Sequence, residues 1–439
     1  MSQSAPVSES LVARFFKLRE HGTDVRTELL AGVTTFVTMA YIIFVNPQMM
    51  ASAGMDAGAS FVATCLASML ACYLMGLYAN WPVGLAPGMG LNAFFTFTVV
   101  ADMGYSWQVA LGAVFIAGVL FVVMSVTRLR RWMLDSIPID MRVAMGAGVG
   151  LFIGFIGLKS GGIIAASDAT FLTMGDLTQA GPLLAALGFI LIAILSIRQV
   201  PGAIIIGIMV ITLTALALGE VQYAGLVSAP PSLAPTFLQL DIVGALDVAM
   251  TSVIIAFLFV NLFDTAGTLL GVASRAGLVD EQGNIQNLDR ALKADSTSSV
   301  LGAFLGCAPV TSYVESAAGV AAGGRTGLTA VTVGTLFFLA IFFAPLAGMV
   351  PAYATAGALI YVAMLMLTGM EALEWSDMSE VVPALITIVM IPLSFSIANG
   401  IAVGFISYVA IKLFVGRRAD ITLGAWFLAA IFLAKFAFM

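Results

Sequence analysis

Two stretches, Ala86-Pro87-Gly88-Met89-Gly90-Leu91-Asn92 and Ala308-Pro309-Val310-Thr311-Ser312-Tyr313-Val314-Glu315, lead into apolar segments at 91–101 and 311–322. A helix needs about 20 apolar residues to cross a bilayer core, so neither segment spans as an ordinary helix. Pro87 and Pro309 lack an amide hydrogen, and the glycines around Pro87 permit extended backbone. N–H and C=O groups are therefore freed at mid-membrane depth, where lipid cannot satisfy them and only protein or a polar cavity can. Half-helices that start just after such stretches aim their positive dipole ends at that cavity. The two Ala-Pro pairs lie about half a chain length apart. Short interrupted segments at matching positions of two halves mark the substrate site of secondary transporters. A kink in a packed helix would explain either proline alone but not the pairing.

The rest of the chain supplies the frame. Of its 439 residues 61% are hydrophobic and 10% charged, with a mean hydropathy of +1.06. Soluble domains are roughly half apolar and a quarter charged. Apolar segments fall at 29–47, 60–79, 91–101, 107–127, 142–158, 183–197, 202–218, 248–273, 288–306, 311–322, 327–348, 353–368, 381–395 and 398–415, with a last run at 422–438. No room is left for a separate soluble domain. The expected fold is an all-α polytopic membrane protein of 14 segments, with the last run either a further span or an interfacial helix. The first long segment begins near 29 and the eighth near 248, an offset close to that between the prolines. Seven segments per half is an odd number, so the second half enters the membrane from the opposite side.

Charge placement supports this count. With the amino terminus cytoplasmic, the loops on its side hold Arg14, Lys17, Arg19, Arg26, Arg128, Arg130, Arg131, Arg142, Arg198, Arg275, Arg290, Lys293, Arg325, Lys412, Arg417 and Arg418. Of the 18 basic residues only Lys159 and Lys435 fall elsewhere, as the positive-inside rule requires. The acidic loop 371–380, with no Lys or Arg of its own, fits least well. The formal charge of −6 says little about partners, and no nucleic-acid partner is expected. His21 is the only histidine, which excludes a histidine triad or a multi-histidine metal site. Cys65, Cys72 and Cys307 lack metal-ligand spacing and read as small buried hydrophobes. The polar first 28 residues carry no apparent removable signal peptide. The glycine-rich run Gly319–Gly327 lacks the Gly-Lys-Ser/Thr ending of a phosphate loop and reads as a tight turn.

The chemistry falls on a few polar residues inside apolar segments. Asp264 lies within 248–273 and Glu315 within the short tenth segment. Charge there costs at least about 2.5–3.5 kcal/mol on insertion scales, so such residues are functional by default. Asn261, Asp264, Thr265 and Thr268 form one stripe at helical spacing, and Thr34, Thr38 and Tyr41 form another in the first segment. Threonine hydroxyls in membrane helices often bond their own backbone instead. Asn92 follows Pro87 by about the distance at which Glu315 follows Pro309, which brings two helix starts together. Asn supplies a donor and an acceptor, an ionised Glu acceptors only, a set that suits a flat heterocycle with several N–H edges. Phe94, Phe95, Phe263 and Tyr313 neighbour these residues and could stack on a ring, although aromatics in membrane helices serve packing first.

These motifs carry a family resemblance. Phe16-Lys17-Leu18, Gly22-Thr23, Arg26-Thr27-Glu28, Gly32-Val33-Thr34-Thr35-Phe36 and Val45-Asn46-Pro47 resemble the adenine–guanine–hypoxanthine permeases of the AzgA-like branch of nucleobase–cation symporters. So do Ala86–Phe95, Leu262–Thr268 and Thr311–Gly319, and the likeness runs from about residue 14 to the end. It implies the uracil-permease fold, 7+7 inverted repeats with short strands in the third and tenth segments. It further implies a cytoplasmic segment 1–28, core-domain halves at 29–127 and 246–348, and gate-domain halves at 128–245 and 349–439. Asn92, Asp264 and Glu315 match the family's substrate-binding positions, with Thr38, Phe94, Phe263, Thr265, Thr268, Ser312 and Tyr313 as further candidates. Asp264 and Glu315 are the candidates for proton coupling. The expected activity is proton symport of hypoxanthine, guanine or adenine across the cytoplasmic (inner) membrane. The proton is the coupling ion, no other cofactor is expected, and a homodimer would pack through gate domains. The same fold carries uracil, xanthine and anions, which keeps another small solute as the alternative. An intramembrane acid hydrolase is disfavoured by the unlike acids, and a channel would leave the inverted halves unexplained.

Overall fold

The computed structural model describes residues 10–127, 137–279 and 285–438; Arg128, Arg130 and Arg131, which the charge count used, lie outside them. The chain runs through α1 (Val25–Met39), α2 (Ile42–Ser52), α3 (Ala57–Leu74), strand β1 (Leu85–Pro87), α4 (Met89–Ala93), α5 (Trp107–Val126) and α6 (Ile139–Ser160). A hairpin of β2 (Ile164–Ser167) and β3 (Phe171–Met174) follows, then α7 (Ala180–Ile197), α8 (Ala203–Ala217), α9 (Met250–Ala276) and α10 (Leu288–Leu305). Strand β4 (Val310–Ser312) leads to α11 (Ser316–Ala321), α12 (Gly327–Ala340), α13 (Ala352–Leu367), α14 (Met378–Leu393), α15 (Ile397–Phe414) and α16 (Leu423–Phe438). Among the described residues nine helical runs are long and apolar enough to cross a membrane. Shorter apolar helices are Met89–Asp102, Ala203–Ala217, Met378–Leu393 and Leu423–Ala434. The chain is thus a mostly helical, multi-pass membrane protein. The last run, α16, packs on α15.

The helices sort into two packed groups. Helices α1, α2 and α3 pack among α10, α11 and α12, with α5 against α9 and α10. Helices α6, α7, α8, α13, α14, α15 and α16 form the other set. The groups meet where α4 and α9 touch α6, and close approach there needs glycine: a Cβ on Gly90 would collide with Val149 of α6. Across the same seam the Thr98 hydroxyl donates to the carbonyl of Phe395 at 2.7 Å. Phe395 sits between α14 and α15 with φ of 50°, an uncommon left-handed conformation for a residue with a Cβ. Gln48 also bridges the groups, donating to the Val350 carbonyl at 2.8 Å and accepting from Thr355 at 2.8 Å.

One reading of the charge pattern is corrected. Lys412, counted among loop cations, lies in the last turn of α15 and is 1% exposed. Its Nζ is 2.6 Å from Glu380 and 3.7 Å from Asp420, while Arg417 pairs with Asp377. The acidic stretch 371–380 therefore takes its cations from α15 and the turn that follows it, because a buried charge needs a partner wherever the chain provides one.

Candidate functional site

Strands β1 and β4 are only three residues long, yet they pair antiparallel at the centre of the first helix group. Leu85 lies opposite Ser312, Ala86 opposite Thr311 and Pro87 opposite Val310. The half-helices α4 and α11 leave this ribbon at opposite ends, about 10 Å apart at a rise of roughly 3.3 Å per residue. The pairing consumes the backbone groups that the prolines free, and side chains satisfy the outer edges. On the β1 side the Cys72 thiol accepts from the Leu85 amide at 3.2 Å and donates to the Leu85 carbonyl at 3.4 Å. Ser316 accepts from the Gly84 amide at 3.0 Å. On the β4 side the Ser299 hydroxyl donates to the Val310 carbonyl at 2.7 Å, and Asp295 accepts from both the amide and hydroxyl of Ser312. The Tyr313 hydroxyl locks the strands together by donating to the Pro87 carbonyl at 2.6 Å.

The predicted polar residues gather around this ribbon to different degrees. Asn92, in α4, is fully buried and neither its Oδ1 nor its Nδ2 has a partner. Glu315 occupies the residue just before α11, makes no side-chain capping bond to it, and accepts from the Tyr41 hydroxyl at 2.6 Å. Asp264, partly accessible on α9, has Asp295, Glu315 and Thr311 as polar neighbours. Thr265 donates to Asp295 at 2.8 Å and lies 3.1 Å from the Thr311 hydroxyl. Thr268 is buried one turn further on. The Thr38 hydroxyl bonds its own helix at Thr35 and Thr34, with the Glu315 carbonyl at 3.5 Å, while Thr34 bonds Leu30. Phe94 packs edge-on against Phe257 at 5.0 Å, and Phe263 stacks on Phe259 at 6.0 Å. Both rings thus have protein neighbours of their own. Val314, next to Glu315 in the chain, is 58% exposed.

Sequence reasoning passed over two buried acids and underrated a tyrosine. Asp295 is fully buried in α10 and grips β4. The run Asp295-Ser296-Thr297-Ser298-Ser299, in a segment that also carries Asp289, Arg290 and Lys293 near its start, was the available signal. Glu28, at the start of α1, is also fully buried and accepts from the amides of Arg325 and Thr326 and the hydroxyl of Thr329, fixing the turn after α11. Its position at a segment end hid it. Tyr41, read as one member of a stripe, occupies the break between α1 and α2.

Chemically, the site offers acceptors from carboxylates and both a donor and an acceptor from one unpartnered amide. The acids at the ribbon are bonded by hydroxyls and a backbone amide, with no Lys, Arg or His among those partners. Among the described residues no group of three or more His, Cys, Asp or Glu could hold a metal ion.

Known proteins match this chain over nearly its whole length. The family described as Permease family matches residues 26–403. The adenine permease AdeP of Escherichia coli (strain K12) is 50% identical over 431 residues, 98% of this chain and 97% of that protein. The guanine/hypoxanthine permease PbuG of Bacillus subtilis (strain 168) is 44% identical over 437 residues, covering 97% of this chain and 99% of its own. Among solved structures, the transmembrane domain of the cyanobacterial bicarbonate transporter BicA superposes with a TM-score of 0.64 at 16% identity, covering 85% of this chain and 96% of that one. At that identity the likeness establishes a shared fold.

Proposed function

The chain belongs to the Permease family, and on that premise we propose that it imports purine nucleobases across the cytoplasmic membrane by proton-coupled alternating access. The observation that carries the reading is Asn92, a fully buried amide with both polar atoms unpartnered beside the strand ribbon. Burying an unpaired amide costs about 1–3 kcal/mol, so the site is built for a ligand that supplies the missing bonds. A purine offers N–H donors and ring-nitrogen acceptors in one plane. Glu315 accepts purine N–H groups, Asn92 reads a second edge, and Asp264 takes substrate or the coupling proton. Ser312, Tyr313, Thr38, Thr265 and Thr268 line or brace these groups, with Phe94 and Phe263 as ring neighbours. The family's adenine and guanine/hypoxanthine permeases at 50% and 44% identity support a purine over other solutes.

The architecture that suits this activity is 14 segments as 7+7 inverted repeats, with the amino terminus cytoplasmic. The first helix group serves as the core domain, halves 29–127 and 246–348, and the second as the gate domain, halves 128–245 and 349–439. Two copies pack through gate domains. The BicA likeness raises an anion as the second reading. Acids without a basic partner at the ribbon favour a hydrogen-bond donor over an anion.

The test is binding of labelled adenine, hypoxanthine, uracil and sulfate to the detergent-solubilised protein, with uptake of the bound solute with and without a proton uncoupler. Purine binding, with uptake that collapses on uncoupling, is the expected result. Binding of sulfate or uracil in place of purines would overturn the substrate, and uptake indifferent to the uncoupler would overturn the coupling.

A further inference from the structure

Tyr41 stands in the gap between the last residue of α1, Met39, and the first of α2, Ile42, so the first membrane segment is interrupted level with the ribbon. Its side chain is 1% exposed, and its hydroxyl donates to Glu315 Oε1 at 2.6 Å. Among the described residues no other side chain donates to that carboxyl. The neighbouring phenol, Tyr313, has its ring centroid 6.5 Å away, but its one proton is committed to the Pro87 carbonyl at 2.6 Å. A phenol has a single proton to give, so Tyr313 cannot stand in without releasing the strand pair. The last turn of α1 also reaches the backbone of the same residue, through Thr38 at 3.5 Å from the Glu315 carbonyl.

We propose that Tyr41 is a positioning residue for substrate recognition: by holding Oε1 of Glu315 it fixes the rotation of the carboxyl and presents Oε2 to the ligand. This role rests on the assignment of Glu315 to substrate binding. A carboxyl held at one oxygen meets a flat ligand in one orientation, and less rotational freedom is lost on binding. The link also makes the break in the first segment and the start of α11 move as a unit when substrate arrives. Because Tyr41 acts through Glu315, its contribution is common to every purine that Glu315 accepts.

Tyr41→Phe keeps the ring and removes only the donor. Expected results in solubilised protein are about tenfold weaker binding of labelled adenine, and the same factor for hypoxanthine and guanine. The infrared carboxyl band assigned to Glu315, by its disappearance in Glu315→Gln, should shift in the ligand-free Tyr41→Phe protein. A purely structural role would leave that band in place. An unshifted band, or affinity within twofold of the unaltered protein, would overturn the proposal. A ring-fluorinated tyrosine at position 41, a stronger donor of the same shape, should move the band in the opposite direction and covers the case of a poorly folding phenylalanine variant. Failure of the unaltered protein to bind any purine would instead overturn the functional reading and this role with it.

Discussion

Asp295 of α10 accepts two hydrogen bonds from one residue of β4, the Ser312 amide at 2.9 Å and the Ser312 hydroxyl at 2.6 Å. Its other oxygen accepts from Thr265 at 2.8 Å, so a single carboxyl joins α9, α10 and the strand that precedes Glu315. Asp295→Ala would leave the Ser312 amide and hydroxyl without an acceptor, each worth about 1–3 kcal/mol, and Thr265 with only the Thr311 hydroxyl. The expected outcome is a lower unfolding temperature in detergent and loss of uptake. Asp295→Asn, which retains an acceptor for Ser312, should fall between the two in both measurements.

Asp264 and Glu315 are the acids at the ribbon that are only partly buried, whereas Asp295 is fully so. Asp264→Asn and Glu315→Gln should each abolish proton-driven purine uptake while the protein still reaches the membrane. Full uptake by either variant, at matched membrane abundance, would remove that acid from the mechanism.

Asn92 should show stability and function moving apart. Replacing an unsatisfied buried amide by a leucine of similar size removes its desolvation penalty. Asn92→Leu is therefore expected to unfold at the same or a higher temperature than the unaltered protein. Purine affinity should fall by about a hundredfold, roughly 2.7 kcal/mol. A drop in unfolding temperature with affinity unchanged would mean that the amide serves packing.

The seam between the helix groups offers a test of alternating access. Thr98→Val with Gln48→Leu removes the bonds to Phe395 and Val350 and the one from Thr355. At about 0.5–1.5 kcal/mol per bond, the loss of all three should raise the population of the alternative conformation by about tenfold or more. Val314→Cys, at an exposed position beside Glu315, reports the change. Its labelling by an impermeant thiol reagent from the opposite side of the membrane should rise by a similar factor, and an unchanged rate would rule these bonds out as a gate.

Outside the membrane-spanning segments, Asp377 caps α14, and the Ser379 hydroxyl and amide, then Arg417, hold its carboxyl down from 3.8 to about 2. A pKa lowered by folding stabilises the protein above the unfolded value and loses that contribution as pH falls through the folded one. Asp377→Asn should therefore lower the unfolding temperature at pH near 7. The difference should shrink as pH falls from about 4 to about 2, where the unaltered protein loses the same charge. A difference that is constant across that range would assign the effect to shape.

The mostly helical, multi-pass character, the paired interruptions and the position of Asp264 and Glu315 inside apolar stretches were legible in the chain itself. Each is a local property: apolar length, missing amide hydrogens, and a charge with apolar residues on both sides. The ribbon was legible only in part. The position of Pro87 and Pro309 says where backbone groups are freed, whereas their partners, Cys72, Ser299, Ser316 and Asp295, come from elsewhere in the chain. Asp295 and Glu28 escaped notice because their neighbours in sequence are polar or lie at a segment end, and only packing shows that water is absent around them. Lys412 was misplaced for the converse reason, since its acidic partners are 32 residues back and eight ahead in the chain. By itself the sequence determined a polytopic membrane protein with two broken segments and costly acids, because hydrophobic length and backbone chemistry are written residue by residue. Which donor meets which acceptor, Tyr41 to Glu315 above all, was decided by the tertiary structure, because hydrogen bonding depends on distances that only the folded helices set.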